Sequence, residues 1–203
     1  MKKIALLLAA ALMLSACNNN KPNPYIPKEV SYIYTLEGFN IEIVRTTWKE
    51  EDDMACLEAN ILSQDSSDVI AEYDLIIPWL SNVKEVHLEE HQYLNAYCID
   101  EVYRDGALII AELQTVSAYG PGKHSYEYEL FLCNGREIKD VTPLDSEGNH
   151  PFTSYNTWEP YDSEDAVPTF GYKDINGDMV YYALDFENLR MLPVPKPQNI
   201  YGE

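Results

Sequence analysis

The chain has 203 residues, of which 34 are Asp or Glu and 14 are Lys or Arg, so its formal net charge at pH 7 is −20. A surface this acidic repels the phosphates of nucleic acids and attracts cationic partners, so nucleic-acid binding is the first function excluded. The same acidity also serves simply to keep a protein soluble. The length suffices for one domain with a substantial hydrophobic core, or for two very small domains.

The first residues have the organisation of a bacterial export signal. Lys2 and Lys3 supply a positive n-region, and the apolar segment 4–14 that follows is too short to span a bilayer as a helix. It leads into Leu14-Ser15-Ala16-Cys17, where small residues precede a cysteine. This sequence resembles the lipobox of bacterial lipoproteins, in which the signal is cleaved before a cysteine that then carries lipid.

The resemblance implies that Cys17 bears lipid, palmitate for example, and that the lipid anchors the chain to the bacterial cell envelope. Asn18 at the next position, rather than Asp, favours the outer membrane if the cell is Gram-negative. Loss of the signal would leave 34 acids and 12 bases, a formal charge of −22. The expected parts are a signal peptide 1–16, a lipidated cysteine and flexible tether 17–29, a single β-rich domain 30–192 and a Pro-rich tail 193–203.

Alternation of apolar and polar residues predicts β-strands through most of the remaining chain. The alternation is clearest in the segments 39–43, 69–77 and 126–132. Residues 107–113 are instead nearly all apolar, apart from Glu112. Such a run predicts a central strand that is covered on both faces.

Four glycine dipeptides separate strand-like runs and predict hairpins: Glu37-Gly38, Asp105-Gly106, Asn134-Gly135 and Asn176-Gly177. The last three dipeptides are typical of tight type I′ turns. Four hairpins require at least eight strands, so the sequence predicts a mainly β fold, a single antiparallel sandwich or barrel built from hairpins. A small β-propeller is the alternative, because successive hairpins also build propeller blades.

Two segments leave the choice between strand and helix open. Residues 54–62 alternate as a strand does, but the acidic run 50–53 before them would favour a helix N-terminus. Residues 83–93 also fit a short helix capped by Asn82. The fold prediction therefore allows one short helix.

Beyond Cys17 the chain contains Cys56, Cys98 and Cys133, with neither CxxC spacing nor a zinc-type cluster. In an oxidising compartment Cys98 and Cys133 could form a disulfide, because both lie in segments interpreted as neighbouring strands. Alternatively, all three cysteines are small buried hydrophobic side chains. The sequence leaves this choice open.

His87-Leu88-Glu89-Glu90-His91 matches the H-x-x-E-H pattern of the inverzincin metallopeptidases, which bind zinc through two histidines one helical turn apart. On a helix, His87 and His91 would share a face, and Glu90 would be the base. The match covers only five residues and supplies no third ligand. A charged surface segment is therefore the default interpretation, and a zinc-dependent hydrolase is the least favoured function.

Four oxygen-bearing side chains resemble the ligands of a D-x-N-x-D calcium loop: Asp174, Asn176, Asp178 and Asp185. Such loops have glycine at the sixth position, where this chain has Met179. A hairpin at Asn176-Gly177 explains the same residues without an ion. The hairpin is therefore the favoured interpretation, and no cofactor is predicted.

Residues 142–168 lack a steady period and include four prolines, which predicts a long irregular loop. Its aromatic and acidic residues are the candidates for a partner-binding surface: Phe152, Tyr155, Trp158, Tyr161, Asp162, Glu164 and Asp165. Rigid aromatic rings beside carboxylates suit a hot spot for a basic protein, or stacking on a sugar ring. The alternative is a loop that packs its rings back onto the domain as a cover.

The sequence contains no nucleophile elbow, phosphate-binding loop or dinucleotide fingerprint, so no catalytic residue is assigned. These observations favour a lipid-anchored envelope protein that works by binding rather than by catalysis. The expected partner is a basic protein, for example a cationic wall-degrading enzyme or a toxin. Glycan binding at the cell surface by the same aromatic rings is the alternative.

Overall fold

Strands account for every regular element in the part of the chain that the structure describes. The computed structural model describes residues 28–49, 53–75, 86–88, 92–99, 103–116, 124–144, 158–163, 166–174 and 176–197. Its thirteen strands form three antiparallel sheets, and none of these sheets closes into a barrel. The predicted mainly β, antiparallel fold is confirmed, in a sandwich-like form. Within these ranges no helix is long and apolar enough to cross a membrane.

The first sheet contains the five N-terminal strands, in the spatial order β1-β2-β3-β4, with β5 also paired to β3. These strands are β1 Lys28–Thr35, β2 Phe39–Lys49, β3 Asp53–Ser63, β4 Val69–Asp74 and β5 Val86–Leu88. The predicted hairpin at Glu37-Gly38 joins β1 to β2, and Gly38 supplies the positive φ, 93°, that the turn requires. β1 begins two residues before the predicted domain start at residue 30.

The second and third sheets are meanders in which each strand pairs with the next one along the chain. The second sheet comprises β6 Gln92–Ile99, β7 Ala107–Val116, β8 His124–Cys133 and β9 Ile138–Asp140. The third comprises β10 Trp158–Ser163, β11 Ala166–Lys173, β12 Met179–Asp185 and β13 Arg190–Val194. β13 extends two residues past the predicted domain end at residue 192.

The second sheet lies between the other two, because alternate residues of β7 belong to different hydrophobic cores. Ile109 and Leu113 pack with the first sheet, whereas Leu108 and Ile110 pack with the third. The predicted central strand with both faces covered is therefore confirmed. Tyr103 adds a polar link between the last two sheets, since its buried hydroxyl donates to the backbone oxygen of Thr169 at 3.0 Å.

Neither segment that could have been a helix is helical where it is described. Residues 54–62 lie in β3, whose alternate residues, among them Leu57 and Ile61, point into the first core. A helix would spread these period-two residues around its circumference, so burial favours the strand over the acidic capping signal. In the segment 83–93, Val86–Leu88 is strand β5, and β6 begins at Gln92.

The hairpins at Asn134-Gly135 and Asn176-Gly177 are present, but the predicted type I′ turns are wrong. A type I′ turn needs positive φ at both central residues, and in these turns only the glycines have it. The Asn134 side chain instead accepts hydrogen bonds from the backbone N–H groups of Arg136 and Glu137, both at 3.1 Å. At Asp105-Gly106 the connection from β6 to β7 is longer than a two-residue turn, and Gly106 has no positive φ.

Of the two alternatives left open for the cysteines, the structure has Cys98 and Cys133 unbridged. The two residues lie on β6 and β8, and β7 runs between these strands, pairing Ile109 with Cys98 and Ala107 with Cys133. Two strand spacings and a two-residue offset along β7 place the Cα atoms roughly 12 Å apart, beyond the reach of a disulfide. Both thiols are buried and unbridged, and burial raises the pKa of Cys133 to about 11. They behave as the small hydrophobic side chains that were the alternative.

The predicted irregular loop 142–168 is wrong over its second half, where residues 158–163 form β10 and β11 starts at Ala166. β10 is an edge strand, so it tolerates Pro160, which lacks a backbone N–H. A register shift between Tyr161 and Ser163 breaks the period-two pattern. Because an edge strand tolerates proline and a bulge interrupts the alternation, β10 could not be recognised from the sequence pattern.

Candidate functional site

The zinc motif loses the helix on which its geometry depended. His87 lies in strand β5, where it pairs with Met54 of β3, and Glu90 and His91 lie outside the described residues. Within the described ranges, no group of three or more His, Cys, Asp or Glu side chains is placed to hold a metal ion.

The four calcium-ligand candidates do not come together. Asp174, Asn176 and Asp178 share the β11–β12 turn, whereas Asp185 lies at the opposite end of β12, about 20 Å along the strand. The Asp174 carboxylate accepts hydrogen bonds from the backbone N–H groups of Asn176 at 2.8 Å and Asp178 at 2.9 Å. Its slight burial acts to raise its pKa, but these N–H groups outweigh burial, so the pKa of Asp174 is lowered. Asp174, Asn176 and Asp178 therefore form the hydrogen bonds of a hairpin turn.

Asp185 has a separate structural role at the β12–β13 turn. Its carboxylate accepts hydrogen bonds from Arg190 Nε at 2.7 Å and from the side chain and backbone of Asn188. The Arg190 contact and the two Asn188 donors lower the pKa of Asp185. This carboxylate therefore orders its own turn.

Of the predicted partner-binding residues, only Tyr161 has a described side chain. It is half-buried, and its ring lies 6.3 Å from that of Tyr181 in a tilted arrangement. Trp158 and Asp162 lie in β10, with Trp158 opposite Tyr172. Phe152, Tyr155, Glu164 and Asp165 lie outside the described residues.

Tyr161 belongs to the third-sheet outer face, the side of that sheet turned away from the second sheet. The register places these residues on it: Tyr161, Thr169, Gly171, Tyr181, Ala183, Leu192 and Val194, together with Glu159, Lys173, Met179, Asp185 and Arg190. The Tyr181 ring covers Gly171 so closely that a Cβ there would lie 2.6 Å from ring atoms. The face therefore has an apolar and aromatic patch around Tyr181, which is buried at 4% exposure, and charged residues of both signs around that patch.

On the outer face of the first sheet, by contrast, every charged register position of the described strands β1–β4 is acidic. Glu42, Glu58, Glu72 and Asp74 all point away from the core, because their strand neighbours Ile41, Leu57 and Tyr73 pack into it. We call these four carboxylates the acidic face. No Lys or Arg occupies an outward register position in the described strands β1–β4.

The carboxylates of the acidic face are close neighbours across the strands. Glu58 lies directly opposite Asp74, and Asn60 lies between Glu42 and Glu72 in the next row. The Asn60 side chain donates to Glu42 Oε2 at 3.2 Å. Glu58, Glu72 and Asp74 also line a shallow groove of about 180 Å³. Like charges directly opposite one another are an unfavourable cross-strand pair.

Sequence analysis missed the acidic face, although each of its residues lies at a polar position of an alternating strand. The alternation shows only that a residue points away from the core. It is the pairing of β2, β3 and β4 that brings Glu42, Glu58, Glu72 and Asp74 onto one patch. Strand order and register are tertiary properties, so the four acids, spread over 33 positions, looked unrelated.

A larger cleft of about 710 Å³ lies where the turns of the second sheet approach the third. Asp105 and Arg136 line it from the second sheet, and Glu187 and the exposed Leu192 line it from the third. Its size suits a small ligand. Charges of both signs line this cleft, whereas the acidic face carries charges of one sign.

No family model, curated protein or solved structure matches this chain.

Proposed function

We propose that this protein is a lipid-anchored cell-envelope binding protein that captures a basic protein partner. The lipid on Cys17 is the anchor, and residues 17–29 are the tether that holds the domain away from the membrane. The partner meets the acidic face on the first sheet, and the acidic and aromatic residues at 152–165, whose described side chain Tyr161 lies on the far side of the third sheet, form a second proposed contact surface. The proposed anchors and rim in that segment are Phe152, Tyr155, Trp158, Tyr161, Asp162, Glu164 and Asp165.

The observation that carries the proposal is the acidic face itself: Glu58 lies opposite Asp74, and no Lys or Arg occupies an outward register position of the described strands β1–β4. A cross-strand Glu–Lys pair at this point would stabilise the sheet, whereas the carboxylate pair weakens it. Natural proteins retain such unfavourable local choices mainly at functional sites. Lys and Arg side chains of a partner would relieve the repulsion on binding.

The net negative charge of the whole chain also favours a basic partner. A mature charge of −22 produces a negative potential that accelerates encounter with a cationic protein and repels anionic ones. At physiological ionic strength this attraction is screened beyond about 8 Å, so short-range contacts with the acidic face must retain the partner.

A pull-down from bacterial envelope extract tests the proposal, with the full-length chain in mild detergent as bait. The test variant is Glu58→Gln, Glu72→Gln, Asp74→Asn, which keeps the shape of the acidic face and removes three charges. The matched control removes three exposed turn charges elsewhere, through Glu37→Gln, Glu137→Gln and Glu187→Gln. We expect a basic protein to be retained by the parent and the control, and to be lost from the test variant.

The aromatic residues of the segment 152–165 are tested with the double variant Trp158→Ala, Tyr161→Ala in the same pull-down, because the register places these two positions on opposite sides of the third sheet and the double variant removes both rings. Loss of the basic protein from this variant places the segment 152–165 in the contact. Retention by this variant and loss from the charge variant restrict the contact to the acidic face. Equal retention by every variant, unaffected by an increase from low to physiological salt, would contradict the electrostatic proposal.

The lipid anchor is tested separately, by fractionating cells that express the parent or Cys17→Ala. We expect the parent in the membrane fraction, with radiolabelled palmitate incorporated, and Cys17→Ala without label. Label in Cys17→Ala would contradict attachment at this residue.

Glycan binding and zinc chemistry are the alternative outcomes of these experiments. Binding of oligosaccharides with a change in tryptophan fluorescence, and with little dependence on salt, would replace the basic partner with a glycan. Zinc in protein purified without added metal, and lost in His87→Ala, His91→Ala, would point to the hydrolase.

A further inference from the structure

Strand β1 presents an open edge of the first sheet. All eight of its residues pair with β2 on one side, and no described strand pairs with its other side. Tyr32 and Ile33, in the middle of β1, are each 55% exposed. An eight-residue edge strand with exposed apolar side chains at its middle is a ready template for pairing with another chain.

The backbone groups along this open edge can be assigned. At the turn, the N–H of Leu36 donates to the oxygen of Phe39 at 3.0 Å, which marks these two residues as a hydrogen-bonded pair. Hydrogen-bonded and non-hydrogen-bonded pairs alternate along an antiparallel ladder. Counting back, Tyr34, Tyr32 and Val30 direct their N–H and C=O groups to β2. The residues that direct theirs outward are Glu29, Ser31, Ile33 and Thr35.

The other described sheet edges carry protection that β1 lacks. Pro160 interrupts β10 and Pro193 interrupts β13, and each proline removes a backbone donor. β9 and β5 have only three residues each, and β4 is irregular where it pairs with β3 at Ile61. The edge strand β6 packs against the first sheet, where Arg45 Nη1 donates to the Leu94 carbonyl at 3.3 Å. Among the described sheet edges, β1 carries none of these protections.

We infer that β1 binds an extended segment of the basic partner, which adds to the first sheet as a further strand. The inference rests on the proposed function for the charge of the partner and adds the mode of recognition. Main-chain hydrogen bonds to Ser31 and Ile33 provide affinity, and alternate side chains provide specificity. Of the possible occupants, a second copy of this chain is disfavoured, because two chains of charge −22 repel each other.

The acidic face explains why the added strand should be basic. Ile33 pairs with Glu42 on the outward side of the sheet, so a residue added beside Ile33 lies two strand spacings, roughly 10 Å, from Glu42. A Lys or Arg side chain and a Glu side chain together span that distance across the Ile33 side chain. The added strand would thus alternate basic residues on the outward side with apolar residues on the Tyr32 side.

Two peptides of equal charge separate strand addition from simple attraction. One consists of four Lys-Val repeats, and the other of four Lys-Pro repeats, which cannot form a β-ladder. Binding of each labelled peptide to the full-length chain in mild detergent is measured by fluorescence anisotropy. We expect the Lys-Val peptide to bind about tenfold more tightly than the Lys-Pro peptide, since it adds ladder hydrogen bonds.

Substitutions in β1 test the assigned backbone groups. Ser31→Pro, Ile33→Pro removes two outward N–H groups and leaves the ladder to β2 intact, because residues 31 and 33 do not donate to β2. Ser31→Ala, Ile33→Ala removes the same side chains and keeps both N–H groups. We expect the proline variant to bind both peptides equally weakly, and the alanine variant to retain at least about half of the parent's preference for Lys-Val.

Hydrogen exchange of the unmodified chain provides a test that no folding defect can affect. The amides of Ser31 and Ile33 should exchange rapidly alone and become protected by Lys-Val but not by Lys-Pro. The amides of Tyr32 and Tyr34, which donate to β2, should be slow throughout. Protection of Ser31 and Ile33 without peptide, increasing with protein concentration, would instead identify a second copy as the occupant and overturn the inference.

The outcomes separate this inference from the proposed function. If the acidic-face variant loses the basic protein but Lys-Val and Lys-Pro bind the parent equally, the proposed function stands and strand addition is wrong. Capture of a basic protein without any binding of Lys-Val also overturns strand addition. If neither the basic protein nor either peptide binds, both proposals fail.

Discussion

The outer faces of the first and third sheets differ, although both are built from antiparallel strands. Both sheets are antiparallel, and each has one side packed on the second sheet. The remaining side of the first sheet carries Glu42, Glu58, Glu72 and Asp74, of which Glu72 and Asp74 are exposed. The corresponding side of the third sheet carries Tyr161 on a buried Tyr181. The side of a sheet that faces away from the core is therefore not always exposed to solvent.

The two outer faces are expected to contribute differently to the free energy of unfolding. On the third sheet, residues such as Tyr181 and Ala183 are buried, so their removal should cost stability. On the first sheet the outward carboxylates repel one another, so their removal should cost nothing or increase stability. We therefore expect Tyr181 and Ala183 to contribute more to stability than the four carboxylates of the acidic face.

The largest expected effect is that of Tyr181→Ala, which should lower the free energy of unfolding by about 3 kcal/mol, because a buried aromatic side chain is deleted. The comparable deletion on the acidic face, Glu72→Ala, should change it by no more than about 0.5 kcal/mol. Urea denaturation followed by circular dichroism measures both. Equal effects in the two variants would remove the distinction between the faces.

Gly171→Val should lower stability by about 1–3 kcal/mol, because the new side chain collides with the Tyr181 ring, to which even a Cβ would approach within 2.6 Å. The cause is steric and not conformational, since Gly171 has no positive φ. The double variant Gly171→Val, Tyr181→Ala provides the control, because without the ring the valine should cost little. Additive losses in this double-mutant cycle would show that the ring is not the cause.

Glu58→Lys should act in the opposite direction and raise stability by about 0.5–1 kcal/mol at low salt, because it replaces repulsion from Asp74 with attraction. The gain should diminish in 1 M salt, where the Debye length is about 3 Å. Under the proposed function the same variant loses the basic partner. A variant that is both more stable and unable to bind would show that the carboxylate pair serves recognition; a less stable one would contradict the repulsion argument.

Much of the fold could be predicted because its strands obey local rules. The near-continuous apolar run 107–113 predicted a central strand, and β7 is covered on both faces. The glycine dipeptides located the hairpins because positive φ is a local requirement at Gly38, Gly135 and Gly177. The exact turn type was not predictable from the dipeptides alone, since Asn134 and Asp174 use their side chains to accept turn hydrogen bonds.

What could not be predicted depends on which strands become neighbours. Cys98 and Cys133 were expected on neighbouring strands, and only the pairing of both strands with β7 shows that they are separated. β10 was hidden by Pro160 and a register shift, both of which an edge position tolerates. The acidic face required the register of three strands. The alternation of apolar and polar residues and the residues of a turn can be recognised in a short stretch of sequence. A surface assembled from several strands cannot.

The smallest expected effect separates acids that build the first sheet from acids on its outer face. Asp65, in the β3–β4 turn, accepts hydrogen bonds from Ser63 and from the backbone of Ser67. The Ser63 hydroxyl, followed by the Ser67 donors, lowers the pKa of Asp65 to about 2. An acid whose pKa is lower in the folded state stabilises the fold above its ordinary pKa. That contribution disappears as the pH falls through the lowered value.

Asp65→Ala should therefore be less stable than the parent at neutral pH, and the difference should disappear between about pH 4 and pH 2. Urea denaturation at several pH values measures this convergence, with Glu72→Ala as the control from the acidic face. A difference that persists unchanged at pH 2 would show that the charge of Asp65 does not order the turn. Convergence for Asp65→Ala, with little stability loss at neutral pH for Glu72→Ala, would assign the turn carboxylate to folding and leave the acidic face available for a partner.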